Sequence, residues 1–264
     1  MIKLCLPEKY KPSYPENNID YYSGKNTKVL RDILIQASKG YCMYCGTTLI
    51  VDQKSDFQLE HSVDKEGNYN QNSKKSMLRN CKFNFSAACS KCNMIYKKRI
   101  EKIDFNKYNL IDNCPQLCTK MCKTYMQMRE DYCKQNAIIL SPLGFGLEGN
   151  TYIVCYNLLR HVYEPEIMNY REKDCLFIMH HIMRFALNRE NFSSNIVDIC
   201  AEICELNECG IQEVDLLIKI EKERNQPNII GNIFVDFLYF HFRDRKIEDI
   251  IELCKLLVLL SVVV

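Results

Sequence analysis

Residues 81–97 read Cys-Lys-Phe-Asn-Phe-Ser-Ala-Ala-Cys-Ser-Lys-Cys-Asn-Met-Ile-Tyr-Lys, and residues 42–45 read Cys-Met-Tyr-Cys. Cys42 with Cys45, and Cys89 with Cys92, are two tight C-x2-C knuckles. Together they offer four thiolates, the number that closes a tetrahedral structural zinc site. A single C-x-x-C is a weak signal; two of them around a polar segment are a strong one. Forty-three residues separate Cys45 from Cys89, so the metal would close a long loop and position whatever that loop carries.

Between the knuckles lie Glu60 and His61, at the end of a strand-like run, Phe57 to Val63, whose apolar and polar residues alternate. Neighbouring strand residues point to opposite faces, so one of the pair can reach a metal while the other reaches a water. A carboxylate suits Mg²⁺ or Mn²⁺, and a neutral imidazole is the natural base near pH 7. Asn93 comes directly after the second knuckle and brings an amide oxygen, a hard ligand. A second short strand is expected over Phe83 to Ala88, and a helix from Asn93 to about Ile103.

Elsewhere the pattern is simpler. Residues 1–25, rich in Pro, Asn, Tyr and Gly, read as an extended lead-in. Asn26 or Thr27 can cap a helix to about Ser38, with Leu30, Ile33, Leu34 and Ala37 as its apolar face and Gly40 as terminator. Residues 26–110 form the expected metal-stapled domain. Beyond it, residues 111–264 show helical periodicity around 115–135, 171–188, 193–207, 211–223 and 228–260, broken at 141–150. The uncharged run Leu256 to Val264 is too short to span a bilayer, which needs ~20 residues in a helix. It reads as a terminal core element or as an interface with a partner subunit, and no membrane association is expected.

The chain has 16 cysteines and no visible secretory signal in its first residues, so a cytoplasmic protein with reduced thiols is expected. Cys114, Cys118 and Cys122 share one helical face. They and Cys200, Cys204 and Cys209 read as buried thiols acting as small hydrophobes, with a second metal site as the alternative. His180 and His181 read as a packed or hydrogen-bonded pair, and Phe234, Phe237, Tyr239, Phe240 and Phe242 as a core stripe. The net charge of +2 hides an asymmetry: residues 65–102 carry ten Lys/Arg against two Glu, leaving the remainder net acidic. A basic block beside a metal-ligand cluster points to a polyanionic partner, most simply nucleic acid. Lys65, Lys97, Lys98 and Arg99 are the candidate phosphate contacts.

The order Cys-x2-Cys, Glu-His, Asn-Phe-x3-Cys-x2-Cys-Asn-x3-Lys resembles the HNH endonucleases with a ββα-metal core. The resemblance implies an α+β fold, with a small ββα core and treble-clef-like zinc knuckles ahead of a mainly α-helical C-terminal region. It makes His61 the general base, Glu60 and Asn93 the ligands of a catalytic Mg²⁺ or Mn²⁺, and Asn84 the brace of the loop bearing the base. It places Lys97 at a basic position on the metal helix. Within the family the chain resembles the HNH component of Septu-type and retron-associated anti-phage systems. Glu60-His-Ser-Val-Asp-Lys65 is similar to their Glu-His-Phe-x-Pro-Lys, and His181 to Asn188 to a helical segment ending in Leu-Asn. Asp64 departs from the usual Pro and Lys82 from the usual Trp. The resemblance covers residues 40–100 well and 100–190 loosely.

The activity that the resemblance implies is metal-dependent hydrolysis of nucleic-acid phosphodiesters, DNA before RNA, with weak sequence specificity. The setting it implies is a defence effector with an ABC/SMC-like ATPase partner and, in some systems, retron components. Two alternatives stay open. One is a non-catalytic zinc-knuckle module that binds nucleic acid; the other is a scaffold subunit. Glu60 and His61 also have a plain reading as a strand-end pair, Asn84 as a turn residue, and 97–99 as a solvated helix face.

Overall fold

The structure is a computed structural model that describes residues 3–7, 9–15, 21, 24–51, 54–64, 78–79, 81–97, 101–108, 121–139, 146–147, 150–166, 171–211, 226–242 and 246–263. In chain order it contains strand β1 (Lys3–Cys5), helix α1 (Thr27–Ser38), strands β2 (Ile50–Val51), β3 (Lys54–Ser55), β4 (Phe57–His61) and β5 (Phe85–Cys89), and a π-helical segment, Cys92–Tyr96. Next come helix α2 (Lys123–Asn136), strands β6 (Gly146–Leu147), β7 (Asn150–Thr151), β8 (Val154–Asn157) and β9 (Val162–Pro165), and helices α3 (Glu172–Arg184), α4 (Glu190–Glu208), α5 (Ile229–Phe242) and α6 (Ile247–Val263). The fold class is mixed α+β with small sheets.

Two compact units emerge, and they depart from the boundaries the sequence suggests. One comprises Met1–Leu6, Gly46–Thr48 and Ile153–Val264; the other comprises Pro7–Cys45 and Leu49–Tyr152. The reasons are specific contacts. β1 pairs with β8, so the start of the chain is a strand of the C-terminal unit rather than a loose lead-in. The Tyr125 hydroxyl on α2 donates to Asn84 Oδ1 at 3.0 Å, so α2 belongs with the cysteine knuckles and not beyond a boundary at residue 110.

In the cysteine-bearing unit, β4 and β5 form an antiparallel hairpin from Phe57↔Cys89 to His61↔Phe85. All of β5 is buried, and its small residues Ala87 and Ala88 allow close approach. Helix α1 packs on it through the fully buried Leu30 and Leu34. This helix ends in a Schellman closure: Lys39 takes φ +54°, and the Gly40 N–H bonds to Ile35 O at 2.9 Å, satisfying an orphan carbonyl of the last turn. The other unit holds the antiparallel sheet β1-β8-β9, with α3 on β9 and α4 against α6.

Among the described residues of 111–264 helices predominate, as expected, and that sheet is what the expectation lacked. Its hairpin had a signal: Asn157 Oδ1 accepts the N–H groups of Leu159 at 3.1 Å and Arg160 at 3.3 Å, an Asx turn. The helix expected over 93–103 is also shorter, because Glu101 to Ile103 are irregular. Cys114, Cys118, Lys65, Lys98, Arg99 and the helix expected over 211–223, apart from Ile211, lie outside the described residues. Among the described residues no helix is long and apolar enough to cross a membrane. The His180-His181 pair splits, with His180 exposed and His181 buried against Phe185. Phe234 is core while Phe240 is exposed. Cys200 is buried, whereas Cys209 is exposed, contrary to the expectation of a packed thiol.

Candidate metal centre and the His61 turn

The zinc-knuckle expectation rests on whether the backbone can bring four sulfurs together, and β5 does so. The Met43 N–H donates to Ala87 O at 2.9 Å, and the Ala87 N–H donates back to Met43 Sδ at 3.4 Å. The first knuckle is thereby sutured along the strand that ends in the second knuckle. Cys42, Cys45, Cys89 and Cys92 are all buried, and their Sγ atoms lie within 4.8 Å of one another. Cys45 and Cys89 stand 3.8 Å apart; a tetrahedral site with Zn–S of ~2.3 Å has S···S edges of ~3.8 Å.

The electrostatics also call for a cation. Burial, then hydrogen bonds with Cys45 and Cys89, pushes the Cys42 thiol up. Hydrogen bonds with Cys42, Cys45 and Cys89 do the same to Cys92, while Cys89 is lowered, first by its bond with Cys42. Four thiols packed this closely cannot all ionise without a compensating positive charge, and metal binding requires them ionised. The residues fit a buried four-thiolate metal such as zinc.

His61 ends β4, and the turn after it is held from several directions. Asn84 is fully buried. Its Oδ1 accepts from the Val63 N–H at 2.8 Å, and its Nδ2 donates to Val63 O and Leu78 O, each at 3.0 Å. The Ser62 N–H bonds to Asn84 O at 2.6 Å. From the other side, the Lys97 ammonium donates to the His61 carbonyl and to Ser62 O at 3.1 Å. The imidazole itself is fixed: Nε2 lies 3.1 Å from Arg79 O, and the ring sits edge-on to Phe85 at 5.2 Å. A carbonyl only accepts, so Nε2 carries the hydrogen and Nδ1 the lone pair of the neutral ring.

Asn84→Ala should therefore be costly. It strands the Val63 amide and the Val63 and Leu78 carbonyls, while the Tyr125 hydroxyl keeps Phe83 O as an acceptor, and a loss of roughly 2–4 kcal/mol is expected from buried groups left unpaired. Urea denaturation checks this; a variant within experimental error of wild type would show that Asn84 is only a turn residue.

Two sequence-based assignments meet a different arrangement. Lys97 is buried and ion-paired with Glu60 Oε1, with its ammonium over the rings of Tyr44 at 5.4 Å and Tyr132 at 5.8 Å. It is not placed to meet a phosphate. A side chain one turn beyond Cys92 on this short helical segment, facing the hairpin, lands in the core and not on a solvated face. Glu60, in turn, already has a cation. Among the described residues no group of three Cys, His, Asp or Glu ligands includes Glu60 or His61, and the Asn93 side chain is half-buried. In this arrangement the Lys97 ammonium sits on Oε1 of the Glu60 carboxylate.

Burial would lower the Lys97 value, but Glu60 and the neighbouring tyrosines raise it by more, leaving it well above the ordinary lysine range. A raised folded-state value means the pair's contribution is complete below the ordinary lysine range. It is lost only as pH rises through the folded-state value, that is, in strongly alkaline solution. Lys97→Met should cost about 3–5 kcal/mol by leaving a buried carboxylate unpaired. The double variant Glu60→Leu/Lys97→Met should recover much of that in the same urea experiment; no recovery would refute the pairing.

The four cysteines come together as expected, while Arg79 and Tyr125, which bond to His61 and Asn84, are not anticipated from the sequence. Neither carries a motif signal, since Arg79 acts through its backbone and Tyr125 comes from a distant helix. No protein-family model, no curated protein and no solved structure matches this chain.

Proposed function

We propose that this protein is an HNH-type endonuclease in which a four-cysteine zinc staples a hairpin and His61 is the general base of phosphodiester hydrolysis. The observation that carries the reading is the immobilised His61 turn. Backbone groups at 61, 62 and 63 are held by Lys97 and Asn84, and the ring is held by Arg79 O, which leaves Nδ1 as the basic nitrogen. A knuckle that only binds has no need of an imidazole oriented in one tautomer. The chain order also supports it: hairpin, second knuckle and short helix succeed one another as a ββα core requires.

In this reading Nδ1 takes a proton from water as the oxygen attacks phosphorus, and the resulting imidazolium strengthens its Nε2–H bond to Arg79 O. Glu60 and Lys97 act as positioning residues: their buried pair fixes the His61 and Ser62 carbonyls. When bound, zinc supplies structure and no chemistry to the step. A nucleic-acid substrate is supported by the basic excess of residues 65–102 in the sequence, of which Arg79, Lys91 and Lys102 are exposed. The resemblance extends the proposal to a defence effector with an ATPase partner.

Incubation with plasmid, single-stranded DNA and RNA, with Mg²⁺ or Mn²⁺ added and with both omitted, tests the activity. The second reading, a binding-only zinc module, is favoured by the Glu60–Lys97 pairing and by the burial of His61. Tight nucleic-acid binding with no cleavage under any of these conditions would select it.

A further inference from the structure

We propose that Cys5 and Cys155 are a redox-active pair that closes to a disulfide between β1 and β8. The register places them directly opposite each other, Cys5↔Cys155, and their Sγ atoms are 2.8 Å apart. Which kind of opposed pair they form is set by the ladder. The Leu6 N–H bonds to Val154 O at 2.9 Å, so the next opposed pair along, Leu6–Val154, is the hydrogen-bonded kind. Pairs alternate in an antiparallel ladder, which makes Cys5–Cys155 a non-hydrogen-bonded pair. At such pairs the Cα atoms approach to ~4.5 Å and side chains are closest, inside the window of ~4.4–6.8 Å that a disulfide spans.

A metal is the competing occupant, because the Glu166 carboxylate lies within reach of both thiols. The sulfur spacing decides against it. Two thiolates on one tetrahedral zinc stand ~3.8 Å apart, and Cys45 and Cys89 show that spacing in this same chain. The sulfurs of Cys5 and Cys155 are about an ångström closer.

The two thiols also differ in access. Cys5 is exposed and Cys155 is buried. The Cys155 thiol is pushed up, first by its hydrogen bond with Cys5 and then by burial, so Cys155 keeps its proton and Cys5 Sγ is the nucleophile. With a peroxide as oxidant, the Cys5 thiolate attacks one oxygen, the O–O bond breaks, and the leaving hydroxide is protonated to water. The Cys155 sulfur then attacks the Cys5 sulfenic acid, the S–O bond breaks, and a second water leaves with the Cys155 proton. Two electrons pass from the sulfur pair to the peroxide, and a thiol reductant reverses the result. In sequence, residues 6–154 lie between the cysteines, so the bond closes a very long loop in the unfolded chain.

The test is peptide mapping of the zinc-loaded full-length protein after mild hydrogen peroxide, with alkylation of remaining thiols under denaturing conditions. Expected is one cross-linked Cys5–Cys155 peptide, about 2 Da lighter than the two thiol peptides together, which disappears on reduction. Expected too is a rise in the thermal midpoint on oxidation, present in wild type and absent in Cys5→Ser. Both cysteines recovered alkylated after oxidation would overturn the proposal. So would a second equivalent of zinc in wild type that Cys5→Ser loses, since that would make the pair a metal site. The mapping uses wild type, so it does not depend on the variant folding.

Discussion

Removing zinc is expected to unfold the unit built from residues 7–45 and 49–152. Structural zinc contributes ~10–16 kcal/mol of apparent binding free energy near neutral pH, and a domain's whole stability is about 5–15 kcal/mol. No other interaction described in this unit approaches that size. The wiring explains why the loss would be global within the unit: the metal would join the knuckle at 42–45 to the end of β5, which Asn84 directly precedes, and to the π-helical segment, which Lys97 directly follows. Cys89→Ser should therefore abolish stoichiometric zinc together with the near-UV circular dichroism of this unit's buried tyrosines, and a strong chelator should do the same to wild type. Acid should mimic the chelator, because the thiolates must stay deprotonated to hold the metal. Metal analysis giving one zinc per chain, lost on either treatment, checks the claim. A Cys89→Ser protein that keeps both its zinc and its folded spectrum would refute it.

His61→Ala is expected to have the largest effect on activity. A positioned general base is worth ~10²–10⁴ in rate. Glu60 is engaged by Lys97, and the Asn93 amide is not a base at neutral pH. The substitution removes a ring stacked edge-on to Phe85 but leaves the Asn84 and Lys97 bonds to the turn intact. Zinc content and the folded spectrum should therefore be those of wild type. Asn84→Ala should lower activity as well, but along with stability, because it loosens the turn that aims the base.

Much of the cysteine-bearing unit is legible in the sequence because short-range spacing encodes it. C-x2-C dictates a knuckle, and alternation over Phe57–His61 dictates a strand. Asn84 is legible as a brace only through the resemblance, since an Asn before a strand has no local signature. Lys97 misleads because a lysine in a basic run looks solvated; only the distant carboxylate at Glu60 and the rings of Tyr44 and Tyr132 explain its burial. The unit boundaries fail for a similar reason. Pairing of Lys3–Cys5 with Cys155–Asn157 is a contact across some 150 residues, and no periodicity in either segment announces it. At Glu60, one of the two ligands expected for a catalytic divalent ion, the Lys97 ammonium is paired with the carboxylate, and the sequence around Glu60 carries no sign of that pairing.

Whether His61 is the base of a nucleic-acid hydrolase is tested most directly by the initial rate of plasmid cleavage. Wild type and His61→Ala are compared, with both proteins shown to carry one zinc and to be folded at the assay temperature. Cleavage by wild type is expected, with a rate for the variant lower by at least ~10²-fold. Equal rates for the two proteins, or no cleavage by wild type on any nucleic acid tested, would contradict the role assigned to His61.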